Sequence, residues 1–136
     1  MIRNILAVIA GLVIGGLVNM ALITVSSSVI PPPAGVDMTT AEGLQAGMHL
    51  LESKHFVFPF LAHALGTLAG ALVAALIAAS HKMKFALGIG VFFLLGGIVA
   101  SFMIPAPIWF KALDIIAAYI PMAWIGGKLA GAGRSV

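Results

Sequence analysis

Long apolar runs, separated by short polar or proline-rich stretches, form the pattern of this chain. The clearest run, residues 56–79, contains 24 consecutive residues without Lys, Arg, Asp or Glu. A helix of about 20 apolar residues crosses the roughly 30 Å hydrocarbon core of a bilayer, so this run predicts a membrane-spanning helix. The same pattern predicts four spans in all, at about residues 5–30, 56–79, 85–104 and 112–129.

The polar connection between the first two spans, residues 31–54, is too long to lack structure in a compact domain. Thr39 and Glu42 have the spacing of a capping box, which starts a helix. Apolar residues then recur at spacings of four and three, so we predict a short amphipathic helix over about 40–52, lying on the membrane surface. The predicted fold is an all-α membrane protein, a single domain over residues 1–136 that forms an up-down bundle of four helices.

Composition indicates that lipid surrounds most of the surface. The chain is 62% hydrophobic and 8% charged, whereas soluble domains carry about 25% charged residues. It has no cysteine, which excludes disulfides, thiol catalysis and cysteine metal ligands on this chain. Its net charge of +3 comes from basic residues scattered singly, without the basic face that a nucleic-acid partner requires.

The distribution of Lys and Arg predicts the orientation, because cytoplasmic loops are enriched in these residues. The first apolar run is about 25 residues long and lacks an A-x-A cleavage site, so we interpret it as a retained helix and not as a signal peptide. Lys54 and Lys111 open the second and fourth spans on one side. Five basic residues share the opposite side, which is predicted to be cytoplasmic with both chain termini: Arg3, Lys82, Lys84, Lys128 and Arg134.

Small residues recur every fourth position along one face of the first span and one face of the second. Such stripes allow helix backbones to approach closely in lipid. The third span is rich in glycine as well. One small bundle is not expected to use all of these positions, so we predict a homo-oligomer or a larger membrane-protein partner, surrounded by membrane lipids. The predicted helix-packing positions are Gly11, Gly15, Gly66, Gly70 and Ala74.

A few polar side chains lie inside the predicted spans, where such groups normally face other helices and have partners. The rise per residue of a helix places His63, Asp114 and Tyr119 in the same half of the membrane. Asn19 falls near the middle. We therefore predict that His63 forms a hydrogen bond with Asp114 or Tyr119. The candidates for a ligand site or proton path are His63, Asp114, Tyr119, Asn19 and Thr67.

Three interpretations of His63 remain open at this stage. It can be a buried histidine that only fixes helix packing. It can belong to a proton relay or a substrate site, since histidine changes charge near neutral pH. It can also ligate haem or a metal, although a haem held by two histidines would need two chains.

A second polar cluster, His49, Glu52 and His55, lies just before the second span. Spacings of three place these side chains on one arc if the segment is helical. Imidazole and carboxylate groups bind metals, so the cluster is a candidate metal site. The spacing differs from the zinc pattern H-E-x-x-H, in which the histidines are four apart. The alternative is a set of interfacial polar residues at a helix boundary.

Several enzyme classes find no support. The chain has no G-x-S-x-G nucleophile motif and no phosphate-binding P-loop. Asp114 is the only carboxylate within a predicted span, so an intramembrane aspartyl dyad would need two chains. We predict a non-enzymatic protein without a cofactor.

Three stretches of the chain resemble short four-helix proteins of bacterial membranes. They are PPPAGVD at residues 31–37, KHFVFPFLAHALGTLAGA at 54–71 and YIPMAWIGGKLAG at 119–131. The resemblance implies a location in the bacterial cytoplasmic (inner) membrane. It implies no activity and no functional residues.

Three functions fit these features. The first is a structural or accessory subunit of a membrane assembly, in which the small-residue stripes are docking surfaces. The second is a small oligomeric transporter or channel with a polar path around His63. The third is a membrane protein that binds a lipid, a small ligand or a metal. A sealed and fully packed bundle with apolar, glycine-lined outer faces favours the first. A water-filled vestibule that reaches His63 favours the second, and a lipid tail or ion between the second and fourth spans favours the third.

Overall fold

Helices make up the regular structure of the computed structural model, which describes residues 1–133. Within that range every regular element is a helix. Four helical stretches are long and apolar enough to cross a membrane, which confirms the all-α prediction with four candidate spans. These stretches are Ile2–Val29, Ser53–Ile77, Lys82–Met103 and Ile108–Leu129.

The described residues form six α-helices and two short 3-10 helices. The α-helices are α1 (Ile2–Val29), α2 (Ala41–Gly47), α3 (Val57–Ile77), α4 (Lys82–Met103), α5 (Ile108–Ala117) and α6 (Ile120–Leu129), and the 3-10 helices are Met48–Leu50 and Ser53–Phe56. Residues 30–56 and 104–107 connect helices at one end, which we call the loop end. The start of α1, residues 78–81 and residues 130–133 mark the other end, which we call the terminal end.

The backbones of α1 and α3 lie in direct contact along a line of small residues. A methyl group built on Gly70 would lie 2.6 Å from the carbonyl oxygen of Gly11, and one on Gly15 would lie 2.8 Å from that of Gly66. The partners step by four residues in opposite directions, so the two helices are antiparallel. All five predicted packing positions, Ala74 included, lie in this contact, which we call the glycine seam. A single chain therefore uses both stripes.

Helix α3 is central, because it packs against α1, α4 and α6. Towards the terminal end its contacts are made by small side chains, with Ile89 as the one large residue that is fully buried there. Gly126 brings α6 against the backbone of α3, and Gly127 brings it against Met83 of α4. We call this cluster the terminal core; its buried members are Ala71, Ala74, Ala75, Ala86, Ile89, Ala123 and Ala130.

The fourth span differs from the single helix predicted over 112–129. It begins earlier, at Ile108, and α5 ends at Ala117. Tyr119, with φ −115° and ψ −78°, departs from helical geometry before α6 follows. Pro121 has no N–H to donate to the carbonyl of Ala117, so the helix is interrupted there.

The helix in the loop between the first two spans is capped one residue later than predicted. Thr40 is the N-cap residue, and its hydroxyl accepts a hydrogen bond from the backbone N–H of Gly43 at 3.0 Å. Thr39 instead donates from its N–H and its hydroxyl to Asp37. The carboxylate of Asp37 therefore holds Thr39 in the turn that precedes α2.

The same helix ends earlier than the predicted boundary at residue 52. Helix α2 ends at Gly47, a 3-10 turn follows, and Leu51 is extended with ψ 133°. Glu52 is extended as well, because it caps the next 3-10 helix through a reciprocal pair of hydrogen bonds with His55. A continuous helix through residue 52 would lose that cap.

Polar side chains close the terminal end of the glycine seam. Arg3 donates from Nε to the carbonyl of Ile77, and Asn4 Oδ1 accepts from the N–H of Ala79 at 2.9 Å. These bonds satisfy backbone groups where α3 ends, which helices need at their C-termini. Arg134, which belongs to the predicted orientation signal, lies outside the described residues.

Candidate functional site

A hydrogen-bonded network of three side chains joins the second and fourth spans in the half of the molecule nearer the loop end. His63 Nδ1 lies 2.8 and 2.9 Å from the two carboxylate oxygens of Asp114. Tyr119 donates from its hydroxyl to Asp114 Oδ2 at 2.8 Å. Since a carboxylate only accepts, His63 donates from Nδ1. The hydrogen bond predicted for His63 is confirmed, and we call these three residues the polar network.

The break in the fourth span positions Tyr119 relative to Asp114. In an unbroken helix, residues five apart point about 140° apart around the axis. The break turns the Tyr119 side chain towards Asp114, and its ring stacks on that of His63 with centroids 5.8 Å apart. Gly97 on α4 provides the space, because a methyl group there would clash with the Tyr119 ring and hydroxyl.

A cavity of about 220 Å³ lies beside the polar network, and we call it the network cavity. Two polar atoms in its wall, Thr67 Oγ1 and Asn19 Oδ1, are buried and have no hydrogen-bond partner within residues 1–133. Thr67 is 1% exposed, so bulk water does not satisfy its hydroxyl. The cavity is lined by Gly15, Asn19, Ala62, His63, Gly66, Thr67, Phe93, Gly96, Gly97, Ala100 and Tyr119.

The network cavity is closed towards the terminal end by contacts between α1 and α4. Ile89 of α4 meets Gly11, and Phe93 meets Gly15 one turn nearer the loop end. At the next turn of α1, Asn19 lines the cavity instead. The cavity therefore begins at the contact of Phe93 with Gly15, and α1, α3 and α4 all contribute to its wall.

Burial differs between the two ionisable groups that are in direct contact. The side chain of Asp114 is 7% exposed, whereas that of His63 is 26% exposed and lines the cavity. His63 Nε2 forms no hydrogen bond within the described residues. Among the described residues, no Lys or Arg lines the cavity. A buried carboxylate needs a compensating charge or hydrogen bonds, and within residues 1–133 the side chain of Asp114 obtains them from His63 and Tyr119.

The predicted metal site is not formed. Within residues 1–133, no three His, Cys, Asp or Glu side chains come close enough to hold a metal ion. His55 uses both ring nitrogens: Nδ1 accepts from the N–H of Glu52 at 2.9 Å, and Nε2 donates to the carbonyl of Pro31 at 3.2 Å. The bend at Leu51 removes the common helix face that His49 would need. His55 instead ties the start of α3 to the end of α1.

Comparison with known proteins adds no functional assignment. No protein-family model, no curated protein and no solved structure matches this chain. The function must therefore be argued from the polar network and its cavity.

Sequence reasoning did not find the apolar part of the cavity wall. Phe93, Gly96, Gly97 and Ala100 carry no polar atom in their side chains, so nothing in the pattern marks them as site residues. The one available signal was Pro121, four residues after Ala117, which marks a missing helix hydrogen bond close to Tyr119.

Proposed function

We propose that this protein is a non-enzymatic integral membrane protein of the bacterial inner membrane that binds a small solute in the network cavity. The four helices cross the bilayer as an up-down bundle, with both termini in the cytoplasm and the loop end outside. The bias of Lys and Arg towards the terminal end supports this orientation. The cavity then lies in the outer half of the membrane and is accessible from the outside.

The unpartnered polar atoms of the cavity carry the proposal. Thr67 Oγ1, Asn19 Oδ1 and His63 Nε2 all belong to residues that line it, and none has a partner within residues 1–133. A polar group left without a hydrogen bond in an apolar surrounding costs several kcal/mol on transfer scales. A packing role alone would not retain three such groups around one open space, whereas a binding site uses them.

Catalysis and open conduction fit the geometry less well. The Thr67 hydroxyl, the candidate nucleophile nearest to His63 along α3, makes no hydrogen bond to that base. Contacts of Ile89 with Gly11 and of Phe93 with Gly15 lie between the cavity and the terminal end. Transport would require a second conformation in which the terminal core opens, so binding is the simplest function that the site supports.

Cysteine accessibility in intact cells tests the proposal, because the chain has no cysteine of its own. A membrane-impermeant methanethiosulfonate reagent is expected to label Ala100→Cys, whose side chain lines the cavity. It should not label Ala75→Cys, which is buried in the terminal core. It should also not label Val99→Cys, which is 57% exposed and should face lipid.

Each control isolates one part of the proposal. No labelling of Ala100→Cys would contradict a cavity reachable from outside. Equal labelling of Val99→Cys and Ala100→Cys would contradict insertion of α4 in lipid. Labelling of Ala75→Cys would contradict a closed terminal core.

An accessory-subunit role remains a second candidate because one face of α4 is uncovered. A methyl group built on Gly88 or Gly96 would meet nothing within 4 Å. Phe92 and Leu95 on the same face are exposed, so another helix could pack closely there. Oxidative crosslinking of Gly88→Cys in membranes tests this role: a dimer band supports a homo-oligomer, and its absence together with no larger adduct would contradict docking through this face.

A further inference from the structure

The charge balance of the polar network depends on a single proton. From the fourth span, Asp114 and Tyr119 face His63, and α3 adds only the uncharged Thr67. Helix α1 contributes the uncharged Asn19, and α4 contributes no titratable side chain to the cavity. With Asp114 ionised, the network is neutral when His63 is protonated and carries one negative charge when it is not. In the part of the chain that the structure describes, the cavity wall has no other charged side chain to compensate for that change.

When His63 is neutral, the unpartnered atoms of the cavity become a set of acceptors. Its Nδ1–H is donated to Asp114, so Nε2 presents a lone pair. Asn19 Oδ1 is an acceptor, and Thr67 Oγ1 offers two lone pairs. Acceptors beside one uncompensated negative charge favour a small cation that donates hydrogen bonds.

We propose that the network cavity takes a small primary ammonium ion, R–NH3⁺, in exchange for the proton on His63. The inference rests on the proposed solute-binding function and names its ligand class. Its N–H groups can donate to Nε2 of His63 and to the oxygens of Asn19 and Thr67, and the apolar wall at Phe93 and Ala100 accommodates a short alkyl group. An anion would meet the charge of Asp114 without a Lys or Arg partner. A bare metal cation would find two neutral oxygens where hard cations take six or more oxygen ligands.

The exchange conserves charge and atoms. The exchange starts from the form in which His63 carries a proton on each ring nitrogen, so that its pair with ionised Asp114 is neutral. His63 then releases the Nε2 proton to water on the open side of the cavity. The ammonium ion enters and donates one N–H to the freed Nε2, and its positive charge replaces the proton that left.

Calorimetry of the full chain in detergent micelles, titrated with n-butylammonium chloride, tests the inference. Measurement in two buffers of different ionisation enthalpy gives the number of protons released. We expect close to one proton per bound amine where His63 is charged. We also expect affinity to rise by about tenfold per pH unit in that range, because one proton is displaced.

Two probe molecules separate charge from hydrogen bonding. Tetramethylammonium has the charge without N–H donors, and n-butanol has the alkyl group without the charge. Both should bind at least about tenfold more weakly than n-butylammonium, since each lost hydrogen bond to a charged group is worth a factor of this size. Equal binding of n-butanol, or amine binding without proton release, would overturn the inference.

Two variants test the residues. Thr67→Val keeps the shape, removes one acceptor, and should weaken amine binding roughly tenfold. His63→Asn keeps a donor to Asp114 near the position of Nδ1 but cannot titrate, so binding should lose its dependence on pH. If either variant fails to fold, the wild-type proton count and the two probe molecules still decide the matter.

The two proposals fail in different ways. Labelled Ala100→Cys with no amine binding would leave a hydrated solute site of another chemical class, and the ammonium inference would be wrong. Unlabelled Ala100→Cys would reject the solute-binding function itself.

Discussion

The two halves of this molecule hold the same helices together by different means. In the half nearer the terminal end, the glycine seam and the terminal core bring backbones into contact through Gly and Ala. In the half nearer the loop end, the helices enclose the network cavity and are joined by the hydrogen bonds of Asp114. Close packing of small residues holds the helices together in the first half, and hydrogen bonds between a few polar atoms hold them together in the second.

Helix α3 shows this difference, because one of its faces packs against α1 and another lines the network cavity. Gly66 and Gly70 face α1 in the seam, while His63 and Thr67 point to the cavity. Helices in lipid associate through close packing of small residues and through hydrogen bonds, since apolar side chains gain little from leaving lipid. The two halves should therefore respond to different substitutions: added volume in one and lost polarity in the other.

The largest effect is expected from added volume in the glycine seam. Gly70→Leu would drive a side chain into the backbone of α1 at Gly11 and should destabilise the protein by about 3 kcal/mol. The matched control is Gly16→Leu, because nothing lies within 4 Å of a methyl group built there. Thermal unfolding followed by circular dichroism in micelles measures both. Similar losses from the two variants would mean that the seam does not hold the helices together.

The second largest loss of stability is expected when charge is removed from the polar network. Asp114→Asn leaves one oxygen to accept from either His63 or Tyr119 and points an amide donor at the other. We expect a loss of about 2 kcal/mol. Glu42→Gln, an exposed change of the same kind on α2, is the control and should leave the unfolding midpoint unchanged. A midpoint for Asp114→Asn equal to that of the control would show that the network contributes nothing to stability.

Two neighbouring glycines on α4 test how tightly Tyr119 is held. Gly97→Ala places a methyl group against the Tyr119 ring and should cost about 1 kcal/mol. Gly96→Ala adds the same methyl group in open space, so it should be neutral or slightly stabilising through helix propensity. Unfolding midpoints of the pair measure the difference. A reversed order would mean that Tyr119 is free to move away from Gly97.

Thr67→Val distinguishes a wet cavity from a dry one. With water in the cavity, loss of the hydroxyl should change stability by less than about 0.5 kcal/mol. A dry cavity predicts a gain of about 1 kcal/mol, because a buried hydroxyl without a partner is removed. Thr24→Val on α1 serves as the reference, since its exposed hydroxyl donates to Met20. A clear gain in stability for Thr67→Val, without a gain for Thr24→Val, would show that the network cavity is dry.

The smallest effect is expected outside both halves, where water weakens every polar interaction. Hydrogen bonds from the side chain and backbone of Thr39 lower the pKa of Asp37 below its ordinary value of 3.8. Asp37 therefore supports the turn before α2 above its unfolded pKa, and this support is lost as pH falls through the folded pKa. Carboxyl NMR should show the pKa rising towards 3.8 in Thr39→Val. No change in that variant would contradict the turn at residues 37–40.

The sequence predicted which helix faces pack closely, but it did not predict which helices they pack against. Spacing by four identified Gly11 and Gly70 as packing positions, because small side chains on one helix face have few other uses in lipid. It could not show that they meet each other, since that depends on the register between two helices joined by a long loop. One chain uses the stripes of the first two spans, so the prediction of an oligomer or a larger partner now depends on α4, where Gly88 is left uncovered.

The polar network was partly predictable for a physical reason. A histidine and a carboxylate at similar depth need partners, and few others exist within the spans. The break at Tyr119 was missed because Pro121 also fits the interior of a membrane helix. The cavity itself was not predictable, since an empty volume follows from how α1, α3 and α4 pack together and leaves no mark on residues such as Gly96.

The regular spacing of the glycine seam also limits how α1 can move. A slide of one to three residues along α3 would push larger side chains into positions that only Gly11 or Gly15 can occupy. A slide of four residues, about 6 Å, would again place small residues against small residues. Along its axis, α1 therefore has discrete resting positions that lie one helical turn apart. The seam does not limit tilting in this way. A displacement of α1 along its axis is therefore expected in steps of that size.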